Sequence, residues 1–346
     1  MKLTQRMILS GVVAVLLLIA APANAAVRAV NCDEGDSLQA AIDAGAGSAK
    51  FIEIELSGNC EEDISISRDG VTIIGDDNAT ITGLVRLFSA DNIYLENVKL
   101  TGPSDGLRVV NGRARLRNVH IVGNDDSGVF VSQGGAVSLF GCIVENNGND
   151  GIILNNASSR IRFTTVQDNG ANGILVINNG SLVFDSGDIN YHENGNGIHA
   201  VNGASINVAE THIGWNNPSG IVLNLGSSGM VDGSYANANA QVGVVLQGNS
   251  SLEMNGGMMS WNGLYGAHIR AHSMLTVEDI LIEGNAAHGV VVETDSALFA
   301  LGQSYIQYNT PGDMVQIECR DKESSIAIDG SVVIYPPAVN CPDPDF

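Results

Sequence analysis

A glycine recurs at a nearly constant interval along most of this chain, followed each time by an apolar residue, any residue and a second apolar residue. Successive intervals are 22, 23, 22, 24, 23, 23, 23 and 23 residues for Gly106, Gly128, Gly151, Gly173, Gly197, Gly220, Gly243, Gly266 and Gly289. Gly83 and Gly312 extend the series at its two ends. A period this regular predicts a stack of similar units rather than a single globular core.

Each period contains three short segments in which apolar residues alternate, such as Ala114-x-Leu116, Val119-x-Ile121 and Val129-x-Val131. Alternation of this kind is typical of strands with one buried face. A leucine-rich repeat would also place an Asn three residues after such a segment, but here a Gly-rich turn and a β-branched strand follow. The pattern therefore favours an all-β, single-stranded right-handed parallel β-helix with coils of about 23 residues.

An Asn column precedes the glycines. The Asn lies three residues before the glycine at Asn194 and Asn309, and four residues before it at Asn124, Asn147, Asn169, Asn216, Asn239, Asn262 and Asn285. Stacked coils would let these amides hydrogen-bond along the axis, so we expect a structural ladder.

These repeats, with the N-terminal "NCDEGDSLQAAIDAG" and the "GNCEEDISISRDGVTIIGDDNATITG" that follows it, resemble the secreted bacterial right-handed parallel β-helix repeat proteins of the pectate-lyase superfold. The resemblance covers roughly residues 30–335. It implies a short N-terminal helix lying across the first coil, capped by Ser37 or Asp36, with Leu38, Ala41 and Ile42 on its buried face. This superfold carries many activities, so the resemblance predicts fold more than function.

The N-terminus has the features of a secretory signal peptide: basic Lys2 and Arg6, an apolar run over 8–21, and a small-residue site that ends at Ala25. We therefore expect export to the periplasm or the outside of a bacterial cell. The predicted organisation is a signal peptide at 1–25, an N-terminal cap with its helix at 26–60, the β-helix at 61–318, and a C-terminal cap and tail at 319–346.

Five cysteines follow the predicted cleavage site. In an exported chain we expect disulfides, and proximity along the sequence pairs Cys32 with Cys60 and Cys319 with Cys341, one pair near each end. Cys142 falls on an inward position of the repeat and is expected to be a buried free thiol.

The chain is strongly acidic, with 38 Asp and Glu against 16 Lys and Arg and a formal net charge of −22. This balance argues against nucleic acid and anionic membranes as partners. No stretch after the predicted signal peptide is long and apolar enough to span a bilayer, so membrane insertion is not expected.

Acidic residues cluster in three successive turns, at Asp105, Asp125, Asp126 and Asp150. Stacking is expected to bring Asp105, Asp126 and Asp150 about 5 Å apart. Such carboxylates share a proton or bind a cation, so a Ca²⁺ site is a candidate and no other cofactor is expected. Asp and Asn are also ordinary turn residues, which is the competing interpretation.

The stretches "SDGL" and "DD" also resemble the Asp arrangement of polygalacturonases, which implies Asp105, Asp125 and Asp126 as catalytic carboxylates. The sequence departs from that family, because Asn149 stands where a Gly-His-Gly is expected and Arg108 replaces an acidic residue.

Arginines are scarce, which makes their placement informative. Arg113, Arg115 and Arg117 alternate on the outward face of one strand, and Arg160 and Arg162 do so two coils later, about 10 Å away. Guanidinium groups in such an array could grip uronate carboxylates or sulfates. The candidate substrate-binding residues are Arg108, Arg115, Arg117, Phe130, Arg160 and Arg162. Pairing of the arginines with neighbouring Asp and Glu is the alternative.

An outward stripe is expected at the second residue after each glycine: Arg108, Phe130, Ile153, Leu175, His199, Val222, Val245, His268 and Val291. Six of these nine are apolar, so either the Pro-rich C-terminal tail covers the stripe or it contacts a partner, including a second copy of the chain.

Two functions follow from these features. The first is a non-catalytic binding or surface role toward a polysaccharide or a cell-surface partner, favoured by the uniform coil lengths, which leave no loops to wall a cleft. The alternative is a lyase or hydrolase of uronate polysaccharide that uses the acidic turns.

Overall fold

Parallel strands stack coil upon coil into a solenoid of about 13 turns, seen here in a computed structural model. The structure describes residues 26–44, 51–193, 195–309, 315–336 and 339–341. The predicted signal peptide, Asn194 and Gly312 lie outside them. Each coil contributes up to three strands, which form three faces along the axis. The predicted parallel β-helix is confirmed.

Face 1 is a 13-stranded parallel sheet in which Leu107 pairs with Val85 on one side and Val129 on the other. Its strands are Ile64–Ile66, Val85–Phe88, Leu107–Val110, Val129–Ser132, Ile152–Asn155, Ile174–Ile177, Ile198–Val201, Ser219–Asn224, Val242–Gln247, Tyr265–Ile269, Val290–Val292, Ile317–Cys319 and Val339–Asn340.

Face 2 follows face 1 in each coil. Its strands are Ala26–Asn31, Ile52–Ser57, Val71–Gly75, Ile93–Glu96, Arg113–Arg117, Ala136–Phe140, Ser158–Arg162, Ser181–Asn190, Ser205–Gly214, Ser228–Asp232, Ser251–Asn255, Met274–Glu278, Ala297–Leu301 and Ser325–Ile328.

Face 3 completes the coil, and the ten-residue strands Ser181–Asn190 and Ser205–Gly214 run on from face 2 into it. Its other strands are Asn59–Cys60, Thr80–Thr82, Lys99–Thr101, His120–Val122, Ile143–Glu145, Thr165–Gln167, Tyr235–Asn237, Met258–Ser260, Leu281–Glu283, Tyr305–Gln307 and Val333–Tyr335.

The predicted Asn ladder runs through the interior at the turn from face 3 to face 1. Asn124 donates from Nδ2 to Asn147 Oδ1 at 2.8 Å, and Asn147 donates to Asn169 in the same way. The same bonds continue through Asn216, Asn239, Asn262, Asn285 and Asn309. Every amide also donates to a backbone carbonyl of the preceding coil, as Asn239 does to Ile213. The ladder thus joins consecutive coils through buried hydrogen bonds.

The ladder position in the 24-residue coil is held by His192, where the sequence predicted Asn194. His192 is fully buried. Its ring nitrogen Nδ1 accepts the backbone N–H of Asn169 at 3.2 Å, and its backbone N–H donates to Asn216 Oδ1. The extra residue of this coil therefore falls after the ladder position.

The glycine column also ends differently from the prediction. The residue that aligns with Gly106 in the preceding coil is Leu84 rather than Gly83, because Val85 pairs with Leu107. At the other end, Val290 pairs with Ile317, so Gln316 aligns with Gly289 after a coil of 27 residues. Gln316 also accepts from Asn309 Nδ2 at 2.7 Å and so ends the ladder.

The N-terminal end is closed by the helix Leu38–Ala44, preceded by the 3-10 turn Cys32–Glu34. Ser37 caps the helix by accepting the N–H of Ala40 at 3.1 Å, and Glu62 accepts the N–H of Leu38 at 2.6 Å. Leu38 and Ile42 are buried against the first coil. The predicted cap and its buried face are confirmed.

The disulfides Cys32–Cys60 and Cys319–Cys341 are both formed, and Cys142 is a free thiol buried in the core. Val339–Asn340 pairs with the strand Ile317–Cys319, so this part of the tail extends face 1 instead of covering the outward stripe. No helix within the described residues is long and apolar enough to cross a membrane.

Candidate functional site

A groove runs over the outward side of face 1 toward the C-terminal end of the solenoid. Its floor is the predicted stripe, here His199, Val222, Val245 and His268. Val222 is only 8% exposed, and Val291 in the same column is fully buried. The stripe is therefore less exposed than the sequence predicted. Pro218, Gln241 and Leu264, in the turns that lead into face 1, also line the groove.

Strand alternation gives this groove a polar end. His268 and Arg270 lie two residues apart and point outward from one coil. The backbone pairing aligns Arg270 with Gln247 in the coil before it, with Glu293 in the next coil and with Arg320 in the one after. The register thus builds a column of one polar and three charged side chains.

Arg320 holds this end of the groove together. It donates to the Tyr265 hydroxyl at 2.9 Å and to Glu318 at 3.1 Å, and it lies 3.5 Å from Glu293. Its guanidinium carbon also lies 5.6 Å from the centre of the Tyr265 ring. The ring of His288 stacks on that of Tyr265, and its Nε2 lies 3.2 Å from a carboxylate oxygen of Glu318. Tyr265 is thereby fixed beside the ring of His268, 5.5 Å between centroids.

The pKa of His268 is lowered, which favours the neutral ring. Burial lowers its pKa, the Glu293 carboxylate 3.0 Å from Nε2 partly offsets this, and the positive charges of Arg270 and Arg320 lower the pKa further. With Nε2–H donating to Glu293, Nδ1 is the nitrogen that can accept a proton, and it makes no hydrogen bond with any described residue.

Arg270 differs from Arg320 in its partners. It donates from Nε and Nη2 to the amide oxygen of Gln247, at 2.9 and 2.5 Å, and in the described part of the chain it forms no ion pair with a carboxylate. In a chain with 38 acidic residues, a guanidinium that lies in a groove and bonds a neutral amide is available to an anionic ligand.

The acidic turns are arranged differently from the prediction. Asp105 and Asp150 lie two coils apart with Ser127 between them, and Asp126 lies in the neighbouring column of Ser104 and Asn149. The expected stack of Asp105, Asp126 and Asp150 is therefore wrong by one residue.

Asp105 and Asp150 are also buried, and their carboxylates already have hydrogen-bond partners. Arg108 donates to Asp105 at 2.6 Å, and Asn172 donates to Asp150 from both its backbone N–H and its side chain. Burial raises the pKa of both carboxyls, and the charge of Asp126 adds to this. These contacts between successive coils resemble a second polar ladder. The catalytic role of Asp105, Asp125 and Asp126 stays a prediction.

Calcium binding also stays a prediction. Within the described residues, the one group with three candidate ligand atoms inside 4.8 Å is Cys32, Cys60 and Glu62, whose cysteines form a disulfide. Asp105, Asp126 and Asp150 do not form such a group, so a cation there would need to draw them together.

The predicted arginine array is present but lies on face 2. Arg115 aligns with Arg160 across Ser138, and Arg117 aligns with Arg162 across Phe140, two coils apart as expected. Arg117 and Arg162 lie 3.7 and 3.2 Å from the carboxylates of Glu96 and Asp185. Arg108 and Phe130 lie on face 1, with the guanidinium 5.3 Å from the ring centre. The predicted binding residues are therefore divided between two faces, and their role in binding is untested.

Two stretches of the chain, residues 19–164 and 150–310, match the family model of the right handed beta helix region. The chain belongs to this family. No curated protein matches the chain significantly.

Solved β-helix structures resemble this family member over most of its length. The A-module of the Azotobacter vinelandii mannuronan C-5 epimerase AlgE4 has a TM-score of 0.63 at 12% identity and covers 87% of this chain and 100% of its own. A double mutant of the periplasmic alginate epimerase AlgG gives 0.60 at 12%, covering 91% and 84%. The catalytic domain of a GH87 α-1,3-glucanase variant in complex with tetrasaccharides gives 0.58 at 10%, covering 90% and 70%. At these identities the likeness shows the fold alone.

The sequence of this β-helix chain marked His199 and His268 as part of the stripe but missed Tyr265, Arg270 and Arg320. Tyr265 occupies the position before a column glycine, where six of the other coils have Asp, Ser or Asn and the remaining two have Val242 and His288. That departure from the repeat was the available signal. Arg320 follows the 27-residue coil, so the 23-residue period could not place it.

Proposed function

We propose that this protein binds an acidic polysaccharide along the groove of face 1, with a ligand carboxylate held by Arg270 beside His268. The observation that carries the proposal is the guanidinium of Arg270, which bonds a neutral amide in an otherwise acidic chain. Arginine forms bidentate bonds with carboxylates and is well suited to uronate recognition.

The shape of the groove supports binding of a polymer. Between Leu107 and Val290, successive face-1 strands follow every 22 to 24 residues, so the coils in this range carry no long insertion that could close the groove. An extended chain lying along the axis can contact several coils at once, whereas a small ligand would contact few. The alginate epimerases and the α-1,3-glucanase among the structural neighbours act on polysaccharides, which is consistent with this proposal. An exported location fits it too, as do the two disulfides.

Binding can be tested by calorimetric titration of the mature chain with uronate oligosaccharides. Charge-assisted hydrogen bonds contribute about 1.5–3 kcal/mol each, so Arg270→Gln should weaken binding by roughly 10- to 100-fold. Arg86→Gln is the matched control, because Arg86 points outward from face 1 eight coils away from His268. Loss of binding in Arg115→Gln with no change in Arg270→Gln would instead place the ligand on face 2.

Catalysis is a second candidate, favoured by the neutral His268 and the Arg320-bound Tyr265. An imidazole and a phenol beside a held carboxylate are equipped to remove and return the proton on the adjacent sugar carbon. Incubation with oligouronates in D₂O, followed by NMR, would show deuterium at that carbon, or unsaturated products absorbing in the ultraviolet. Exchange or elimination should be lost in His268→Gln and retained in His120→Gln, which alters a histidine on face 3. No turnover, with binding intact, would leave the binding role alone.

A further inference from the structure

Four large aromatic side chains project from one corner of the solenoid, where face 3 turns into face 1. Tyr191, Trp215, Trp261 and Tyr308 are 47, 47, 66 and 61% exposed, and each directly precedes a ladder residue. We call these four residues the aromatic edge. The two tryptophans are the only ones in the chain. The aromatic edge occupies the same coils as the face-1 groove but lies on the far side of the connecting turns.

The rings are ordered rather than scattered. Tyr191 and Trp215 stack in parallel, 5.1 Å between centroids with planes 4° apart. His212 packs its edge against Trp215 at 4.9 Å. Trp261 lies over the next coil, where a side chain at Gly284 would meet the indole at 2.7 Å. The edge therefore presents flat rings held by neighbouring residues.

Their spacing is regular. Trp215, Trp261 and Tyr308 each lie two coils from the next, with the small residues Ala238 and Gly284 between them. Two coils correspond to about 10 Å along the axis. This distance is close to the length of two linked pyranose rings in an extended polysaccharide.

The aromatic edge occupies a corner that disfavours bulky side chains. All four residues adopt a left-handed backbone conformation, with φ between 51° and 59°. Other coils fill this corner with Gly123, Asn146, Asp168, Ala238 or Gly284, and all of these except Ala are residue types that accept that conformation more easily. Bulky rings here strain the backbone and leave much of their apolar surface in water, which points to a ligand.

The acidic residues beside the aromatic edge indicate the charge of its ligand. Glu193 and Asp168 line the surface beside Tyr191, and partial burial and the charges of Glu145 and Glu193 raise the pKa of Asp168. Asp188 lies 3.7 Å from His212, which itself contacts Trp215. Carboxylates repel a polyanion but accept hydrogen bonds from hydroxyl groups. The aromatic edge is therefore suited to a neutral chain.

We propose that the aromatic edge is a second binding track, which stacks the apolar faces of sugar rings in a neutral, extended polysaccharide. Its ligand differs in charge from that of the face-1 groove, and it does not depend on binding there. Aromatic faces carry partial negative charge and attract the C–H groups of a pyranose face, while the flanking carboxylates accept its hydroxyls.

Intrinsic fluorescence tests this directly, because both tryptophans lie on the edge. Titration of the full mature chain with cellohexaose should change tryptophan emission saturably, and a hexauronate at equal concentration should not. Trp261→Asn places at this corner the residue type that Asn146 already holds there, so the coil is retained. It should weaken cellohexaose binding about fivefold to tenfold, with Trp215 as the remaining reporter.

Phe163→Asn is the matched control. Phe163 is 58% exposed with φ of 51°, but it lies at the corner between faces 2 and 3. This variant should bind cellohexaose like the unaltered protein. Absence of a saturable change with cellohexaose, equal affinity in Trp261→Asn, or an emission shift that depends on protein concentration alone would overturn the proposal. The last result would show a second copy of the chain on the edge.

Discussion

Protonation of His192 should destabilise the solenoid in a defined pH range. This ring is fully buried in the Asn ladder, and burial lowers its pKa from 6.5 to about 4. Its Nδ1 accepts the N–H of Asn169, so a proton on Nδ1 would face another N–H. Its Nε2 has no hydrogen-bond partner among the described residues. The backbone of Val166 favours the charged ring, but burial outweighs it and keeps the pKa low.

The size of the effect follows from the two pKa values. The unfolded chain takes up a proton at His192 below about pH 6.5, whereas the folded chain does so only near pH 4. Stability from the neutral ring is therefore complete above pH 6.5, falls as the pH drops from 6.5 to 4, and is lost below that. A difference of about 2.5 pKa units corresponds to about 3 kcal/mol.

His192→Asn isolates this contribution, because the other titrating groups are common to both proteins. Asn is the residue of the neighbouring coils and can donate to Asn216 as they do. Urea unfolding from pH 7.5 to pH 4, followed by circular dichroism, should give a variant that gains about 3 kcal/mol relative to the unaltered protein as the pH falls. Parallel stability curves for the two proteins would refute the reasoning.

Three further outcomes follow from buried or capping contacts. Burial raises the pKa of the Cys142 thiol to about 11. This thiol should therefore resist iodoacetamide at pH 8 until urea unfolds the chain, as measured by mass spectrometry. Rapid labelling of the native protein would contradict the buried position. Asn239→Ala leaves its ladder partners unpaired and should cost about 2–4 kcal/mol in urea unfolding, whereas an effect below about 1 kcal/mol would mean that water replaces the amide. Glu62→Ala removes the acceptor for the first N–H groups of the N-terminal helix and should lower stability by about 1–2 kcal/mol, with faster amide exchange at Leu38; unchanged exchange would show that Ser37 is a sufficient cap.

The fold could be predicted because the repeat records it many times. Each coil carries the same inward apolar rows and the same turn residues, so an error in one coil is corrected by its neighbours. The errors fall where a coil departs from the period. His192 was missed because a 24-residue coil does not reveal where its additional residue lies, and Gln316 was missed because its coil has 27 residues.

The candidate sites were harder to predict for a different reason, because their residues do not recur from coil to coil. A one-residue error in the turn placed Asp126 in the column of Asp105 and Asp150, although the backbone pairs it with Ser104 and Asn149. The aromatic edge was missed because Trp215 and Trp261 stand in a column that also contains glycine, asparagine and alanine. Periodicity finds what all coils share, whereas binding residues are the exceptions to it.

The solenoid also explains why both proposed ligands are polymers. Its inward rows are fixed by the ladder and the core, so variation is confined to outward positions one coil apart. A single outward position offers one side chain about every 5 Å, which is too sparse to enclose a small molecule. Repetition along the axis instead matches a ligand that is itself a repeat, as polysaccharides are. On this reasoning the affinity of either track should rise with oligosaccharide length until the ligand spans the coils from Tyr191 to Tyr308 and then stay constant. A plateau reached already with a monosaccharide would show that a local pocket, rather than the stacked coils, holds the ligand.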